Sequence, residues 1–265
     1  MTALPLLRRG CAALLSLACA LAVAGPVSQR VKSSGELRVC IWPDYYGISL
    51  RHPRTGQLAG IDIDLSAELA ADLKLKVRYV DSSFQTLADD LLNDRCDVAM
   101  FAVGITPQRQ QQLRFTRPYL ESDIYAVTTR SSRVVQRWED LDRPGVRVAV
   151  QAGTFMEPVM KGALKQATLV VVQPPATRER ELEAGRVDAF MTDYPYSRRL
   201  LDNADWARLV APSAPFHVLP YGYAVKPGDP TWLATVDDFV ARIQLDGRLA
   251  KAAQRHGLAA IVRKN

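Results

Sequence analysis

The chain has 265 residues, with 34 Lys+Arg against 28 Asp+Glu, a formal charge of +6 at neutral pH and 48% hydrophobic residues. That length allows one large or two ordinary domains with real cores. The charges are scattered, with Arg-rich pieces broken by acids as in Arg178-Glu179-Arg180-Glu181, which reads as a solvated surface and excludes a nucleic-acid footprint.

Met1 to Arg9 carries Arg8 and Arg9 and no acid, and an apolar run from Gly10 to Val23 ends in Ala22-Val23-Ala24. This pattern predicts a secretory signal peptide at 1–24, cleaved after Ala24, and hence a periplasmic protein; the run is too short for a comfortable membrane span. Cys19 follows Ala18, but Ser16-Leu17 puts the larger apolar residue one place too late for lipid attachment. Loss of the leader removes Arg8 and Arg9 and lowers the formal charge from +6 to +4. Cys11 and Cys19 leave with it. The remaining pair, Cys40 and Cys96, reads as one disulfide in an oxidising compartment if their strands are neighbours; two buried free thiols are the alternative.

Glu36 to Ile41 reads as a strand, followed by an aromatic-tipped loop, Trp42 to Gly47, and a turn at His52 to Gln57. Gly60-Ile61-Asp62-Ile63-Asp64-Leu65 leads into an amphipathic helix, Asp64 to Leu73, with Leu65, Leu69 and Leu73 on one face. Lys76 to Val80 returns as a strand, Leu87, Leu91 and Leu92 mark a short helix, and Cys96 to Ala102 is the third strand. The third strand runs into a small-residue turn and then Thr106-Pro107, an N-cap followed by proline at the first helical position. Such alternation gives a parallel sheet flanked by helices, with binding loops at the carboxyl ends of the strands. The loops at Trp42 to Gly47, Ser82 to Phe84 and Phe101 to Arg109 should therefore meet at one edge.

A second unit repeats this organisation. Gly145 to Val150 is a strand ending at Gln151-Ala152-Gly153-Thr154, before a helix from about Met156 to Lys165; Leu169 to Val172, Arg178 to Ala184 and Val187 to Thr192 complete it, ending at Asp193. Beyond it come a strand at Tyr221 to Lys226, a long helix carrying Trp232, Val236, Phe239, Val240 and Ile243, and a last helix at Leu249 to His256. These helices have no sheet of their own, so the chain returns to the first unit to bury them. Ile124 to Thr129 and Tyr221 to Lys226 are then the crossings. The predicted division is lobe 1 at 25–125 and 221–265 and lobe 2 at 126–220.

His52, His217 and His256 are dispersed, and no metal-ligand spacing, nucleophile elbow, phosphate loop or dinucleotide fingerprint is present, so no cofactor is expected. Three positions at strand ends remain. Arg109 offers a planar fork to a carboxylate, with N–H groups near Gly104; Gly153-Thr154 could hold its other side; Asp193 could take an ammonium. Helix N-caps at Thr106 and Asp193 are the simpler roles. The set fits a zwitterion.

At these residues the chain resembles the periplasmic solute-binding proteins of the polar amino-acid type, bacterial family 3. Gly35 to Val39, Gly60 to Leu65, Ile105-Thr106-Pro107-Gln108-Arg109 with Phe115-Thr116 and Pro118-Tyr119, Gly153-Thr154, Ala184 to Ala189 and Asp193 carry the resemblance through their order and spacing. It implies a two-lobe α/β fold of the type II periplasmic-binding-protein class, in which each lobe is a mostly parallel sheet flanked by helices and two crossover strands join them. It also implies an arginine, matching Arg109, that clamps the α-carboxylate with help from Gly104 and Gly153-Thr154, an acid matching Asp193 on the α-ammonium, and aromatic residues matching Tyr45 and Phe84 beside the side chain. The implied partners are a small amino acid or related carboxylate and the membrane permease of an ABC importer, with the binding protein a monomer.

Departures bear on the ligand. Phe101, Ala102 and Gly104 replace small hydroxyl residues, Phe155 a second threonine, and Trp42 an acid that reads cationic side chains, which points away from arginine or lysine and toward a bulky or apolar-sided amino acid. Two rivals share the resemblance. Cyclohexadienyl dehydratases are similar at Phe190-Met191-Thr192-Asp193, but their general-acid glutamate corresponds to Met156 here, with Glu157 one place later. Accessory proteins of periplasmic quinoprotein dehydrogenases are similar at Leu37-Arg38-Val39-Cys40 and Arg95-Cys96-Asp97-Val98, but do not generally keep the zwitterion clamp.

Overall fold

The computed structural model describes residues 25–263, so the leader and its cleavage after Ala24 lie outside the described residues. In chain order the elements are α1 (Pro26–Ser34), β1 (Glu36–Ile41), β2 (Leu50–Arg51), β3 (Leu58–Ala59), α2 (Ile61–Asp72), β4 (Lys76–Asp81), α3 (Leu87–Leu92), β5 (Val98–Gly104), α4 (Pro107–Gln112), β6 (Arg114–Phe115), β7 (Leu120–Ser122) and β8 (Ile124–Thr129). They continue as β9 (Arg147–Gln151), α5 (Met156–Ala163), β10 (Thr168–Val172), α6 (Arg178–Glu183), β11 (Ala189–Asp193), α7 (Tyr194–Asn203), β12 (Ala207–Val210), β13 (Leu219–Val225), α8 (Pro230–Leu245) and α9 (Arg248–Arg255).

Two sheets organise the chain into two lobes. One runs β4-β1-β5-β13-β6, with β7 also on β13, and the other β10-β9-β11-β8-β12. The expected strand and helix alternation makes the parallel half of each, β1 with β4 and β5, and β9 with β10 and β11. The remaining half of each sheet is antiparallel, because β8 and β13, expected only as crossings, each enter a sheet against the strand direction. The chain passes between sheets at Asp123 and again just before Leu219. Asp123 ties both passages together: one carboxylate oxygen accepts from Ile124 N–H at 2.7 Å and His217 N–H at 2.6 Å, the other from Phe216 N–H at 2.8 Å.

The first core closes as its apolar spacing requires. Leu65 and Leu69 of α2, and Trp232, Val236, Phe239, Val240 and Ile243 of α8, are all buried. Trp232 donates its indole N–H to the Asp97 carbonyl at 2.7 Å, fixing α8 to the entry of β5. Cys40 and Cys96 are disulfide-bonded, with Cα atoms 5.6 Å apart, because β1 and β5 are neighbours. α1 had no visible signal beyond Val27 and Val31, one turn apart and both buried.

Asp62, at the start of α2, is fully buried and accepts from the Tyr119 hydroxyl at 2.6 and 2.8 Å, the Tyr223 hydroxyl at 3.0 Å and Ala102 N–H at 2.8 Å. The last bond holds Ala102 at a φ of 49°, in the left-handed region that alanine seldom occupies, beside an irregularity in the β5–β13 register. This acid therefore shapes the strand end that leads to Arg109. Burial pushes its pKa from 3.8 up to about 6, against the pull of those hydrogen bonds. The folded protein then holds this proton more tightly than the unfolded chain between about pH 4 and pH 6. Stability from this group is present at low pH and is lost as pH rises through 6, by about 3 kcal/mol. Asp62→Asn should abolish that dependence, so its stability relative to wild type in urea titrations should be about 3 kcal/mol more favourable at pH 7 than at pH 3. Equal differences at both pH values would refute it.

Candidate functional site

Thr106 and Pro107 start α4 as their types demand. Thr106 Oγ accepts from Arg109 N–H at 3.2 Å, and this cap sets Arg109 one turn into the helix, facing the other lobe. The guanidinium donates to the carbonyl of Gly104 at 3.0 Å and, across the cleft, to the carbonyl of Gly153 at 3.2 Å. Among the described residues no carboxylate pairs with it. Burial of the head group lowers its pKa from 12.5 to about 10, which leaves it charged at neutral pH. Here is an enclosed cation with fork donors left over.

The turn between β9 and α5 meets it. Gly153 has a φ of +76°, and a Cβ there would lie 2.6–2.9 Å from Gln85, so glycine is required by the approach of the two lobes. Gln85 and Gln173 complete that contact at 2.9 Å. The backbone donors expected for an anion are partly engaged: Gly153 N–H donates to Glu157 at 3.2 Å, and Ile105 N–H to the Pro220 carbonyl at 2.9 Å. Thr154 is buried and its hydroxyl donates to the Gln151 carbonyl at 2.7 Å. Gly104 contributes its carbonyl and its lack of a side chain, since a Cβ would meet Leu219 at 2.5 Å.

Asp193 ends β11 and caps α7, accepting from Tyr196 N–H at 3.2 Å. Its other oxygen accepts from the Tyr221 hydroxyl at 2.8 Å and from the Tyr45 hydroxyl, which reaches across from the other lobe. N-cap and cleft acid are thus one residue. Burial raises the pKa of Asp193, while the two tyrosine hydroxyls, Tyr196 N–H and the charge of Arg178 pull it down. Both hydroxyls are held far above the usual tyrosine range, chiefly by burial and next by the Asp193 charge, so they remain donors at physiological pH.

Arg109 and Asp193 face different spaces. An outer cleft of about 990 Å³ is lined by Arg109, Thr106, Gln85, Glu157, Lys161 and His217 among others. An inner cavity of about 20 Å³, room for roughly one water, is lined by Asp193, Trp42, Tyr45, Met156, Arg178 and Thr192 among others. Phe84, Thr154 and Phe155 border both. The aromatic wall is continuous: Trp42 packs on Phe84 and Tyr45 at centroid distances of 5.2 and 5.3 Å, and Phe84 lies 5.3 Å from the Arg109 guanidinium. Phe155 stacks on His217 at 6.0 Å. Phe101 is fully buried behind Phe84, at 5.1 Å, and borders neither space.

Four contributors escaped the sequence reading: Tyr221, Tyr196, Thr192 and Arg178. Arg178 belongs to a run whose alternating charges predict a solvated surface, but it is 3% exposed. It lies one helical turn before Leu182, which is also buried, so the two share the inward face of α6. That spacing was the available signal. Among the described residues no group of His, Cys, Asp or Glu could hold a metal ion, and no helix is long and apolar enough to cross a membrane.

Comparison with known proteins agrees with this architecture. The chain is 31% identical over 221 residues to the cyclohexadienyl dehydratase of Pseudomonas aeruginosa, covering 83% of this chain and 82% of that protein. It is 25% identical over 226 residues to the L-cystine-binding protein TcyJ of Escherichia coli, covering 85% and 84%. Among solved structures it superposes on the ancestral amino acid-binding protein AncCDT-1, a precursor of cyclohexadienyl dehydratase, with a TM-score of 0.78 at 30% identity, covering 86% and 97%. A putative ABC-transporter binding component from Wolinella succinogenes, complexed with lysine, gives 0.76 at 25% identity, covering 83% and 95%. The family model of the bacterial extracellular solute-binding proteins, family 3, matches residues 37–259, and the chain belongs to that family.

Proposed function

We propose that the protein captures a small amino-acid-like carboxylate between its lobes in the periplasm and delivers it, as a monomer, to the permease of an ABC importer. The observation that carries this reading is Arg109, an enclosed guanidinium with no carboxylate partner among the described residues. The solute's carboxylate would supply that partner, with Gly104 and Gly153-Thr154 around it. Its ammonium would take the remaining acceptor position on Asp193, beside Tyr45 and Phe84. Because the inner cavity has room for about one water, a solute enters by parting of the lobes, and the contacts it then bridges favour closure. Mass spectrometry of small molecules released from protein purified without added ligand and then denatured should recover an amino acid. Recovery of none, together with no thermal shift across the twenty amino acids, would reject the reading.

A catalytic reading is favoured by the 31% identity to a dehydratase. Against it stands the chemistry of the matching position: Met156 borders the inner cavity, while Glu157 borders the outer cleft and accepts from Gly153 N–H. A general acid there would have to donate from the wrong space. We therefore assign binding without catalysis, and expect prephenate to yield no phenylpyruvate above the uncatalysed rate. Turnover that is lost in Glu157→Gln would reverse this assignment.

A further inference from the structure

The inner cavity is bordered by a cation, Arg178, that the carboxylate clamp does not use. Arg178 is 3% exposed, and its guanidinium carbon lies 4.8 Å from the Tyr196 ring and 5.3 Å from the Phe190 ring. One nitrogen donates to the Met191 carbonyl at 2.6 Å, but Nε, buried, has no hydrogen-bond partner. The hydroxyl of Thr192, fully buried on the adjacent strand β11, has none either. Both residues border the same space as Asp193. Buried polar groups in folded proteins are nearly always paired, so two unpaired ones on side chains that border one cavity mark a place built for acceptor atoms from elsewhere.

Charge makes the requirement more specific. Glu179 Oε1, buried and likewise without a hydrogen-bond partner, lies 3.8 Å from Arg178 Nε, beyond hydrogen-bonding range, and Glu179 does not border the cavity, so it offsets part of the charge without taking the donor. Around the inner cavity Arg178 is the one cation and Asp193 the one acid, while Tyr45, Tyr196, Thr154 and Thr192 are neutral; Arg109 meets the solute from the outer cleft. A zwitterion satisfies Arg109 and Asp193 and leaves Arg178 over. At the same site Trp42 stands where the resemblance places the acid that reads cationic side chains.

We infer that Arg178 and Thr192 form the side-chain subsite, and that the solute is an amino acid with a carboxylate side chain. This rests on the binding function proposed above and replaces the bulky, apolar-sided preference drawn from sequence. Aspartate and glutamate meet all three charges; their amides leave Arg178 facing a neutral oxygen, and phenylalanine leaves it with Glu179 alone.

Calorimetry on the purified protein, stripped by denaturation and refolding, tests it with L-aspartate, L-glutamate, L-asparagine, L-glutamine and L-phenylalanine. At least one acid should bind ten times or more tighter than its amide. Arg178→Met, which keeps length and removes charge, should lose at least tenfold for that acid while changing the amide by less than threefold. Thr192→Val, nearly isosteric, should weaken the acid by several-fold and provides the test if Arg178→Met does not fold. Wild-type protein that binds an amide or phenylalanine as tightly as the acids, or either folded variant with unchanged acid affinity, would overturn the subsite. Those results would leave the general reading standing if Arg109→Ala still abolished binding of whichever amino acid is taken, so the two proposals fail separately.

Discussion

Arg109→Ala should abolish solute binding while leaving the fold intact or slightly more stable. Truncating one side of a buried, hydrogen-bonded charge pair costs about 2–5 kcal/mol of affinity, a loss of roughly thirtyfold to several thousandfold. Folding responds in the opposite sense. The free protein encloses this guanidinium against two carbonyls, Gly104 and Gly153, and no carboxylate, and burial has lowered its pKa from 12.5 to about 10. That depression corresponds to a cost on the order of 3 kcal/mol for holding the charged form at neutral pH, partly offset by the two hydrogen bonds. A residue kept at such a cost is kept for something the free protein does not contain. Calorimetry and urea titration on the same preparation check both halves: undiminished affinity rejects the clamp, and a loss of several kcal/mol of stability makes Arg109 a structural residue instead. Arg109→Lys keeps the charge but loses the planar fork, and should recover only part of the affinity. Asp193→Ala tests the other lobe, where affinity should fall equally, but here stability should fall too, because Tyr45, Tyr221 and Tyr196 N–H all lose their acceptor.

The contrast between these two residues explains which parts of the site the sequence disclosed. Thr106, Pro107 and Arg109 belong to one local motif whose cap and register follow from residue type, and the structure forms them as written. The observed strand ends at Asp81, Gly104, Gln151 and Asp193 lie within about two residues of those that alternating apolar and amphipathic segments give. What local pattern does not encode is direction and distance. β8 and β13 have the composition of any strand, and only their partners 63 to 125 residues away decide that they run antiparallel. β2, β3, β6 and β7 have two or three residues each, too few for a period to show. Tyr221 reaches Asp193 only because β13 closes the first sheet beside the cleft, so its role depends on the topology already being known. Arg178 is the sharper lesson. Surrounded in sequence by Glu179, Arg180 and Glu181 it looks solvated, yet a helix exposes only part of its circumference, and the residue one turn before a buried leucine points inward whatever its charge. The outward members of that run do what was expected: Glu181 pairs with Arg186 at 2.6 Å on the surface.

Replacing Cys40 and Cys96 together by serine should be the largest loss of stability available without touching the cleft. The bridge closes a loop spanning 56 residues, which on the chain-entropy account limits the unfolded ensemble by about 4 kcal/mol. Strain would reduce that figure, and burying two serine hydroxyls adds to the loss, since Cys40 and Cys96 are 0% and 2% exposed and a hydroxyl there needs a partner. The position matters as much as the size. Cys40 is paired with Ala99 across β1 and β5, and Cys96 precedes Asp97, whose carboxylate takes Arg38 N–H at 2.8 Å and the Arg38 guanidinium at 2.7 Å, and whose carbonyl takes the Trp232 indole. The bridge therefore sits at the opposite end of β5 from Gly104, within a net that already fixes register. Its removal should lower stability without altering the geometry at Arg109. Urea titration should show a loss of about 3–4 kcal/mol with a steeper slope, because the unbridged unfolded chain exposes more surface, while affinity at 25 °C, measured where the variant is still folded, should stay within about twofold of wild type. A fall in affinity in step with stability would mean that the strand ends depend on the bridge for their alignment, and that β5 is not a rigid element joining disulfide to clamp.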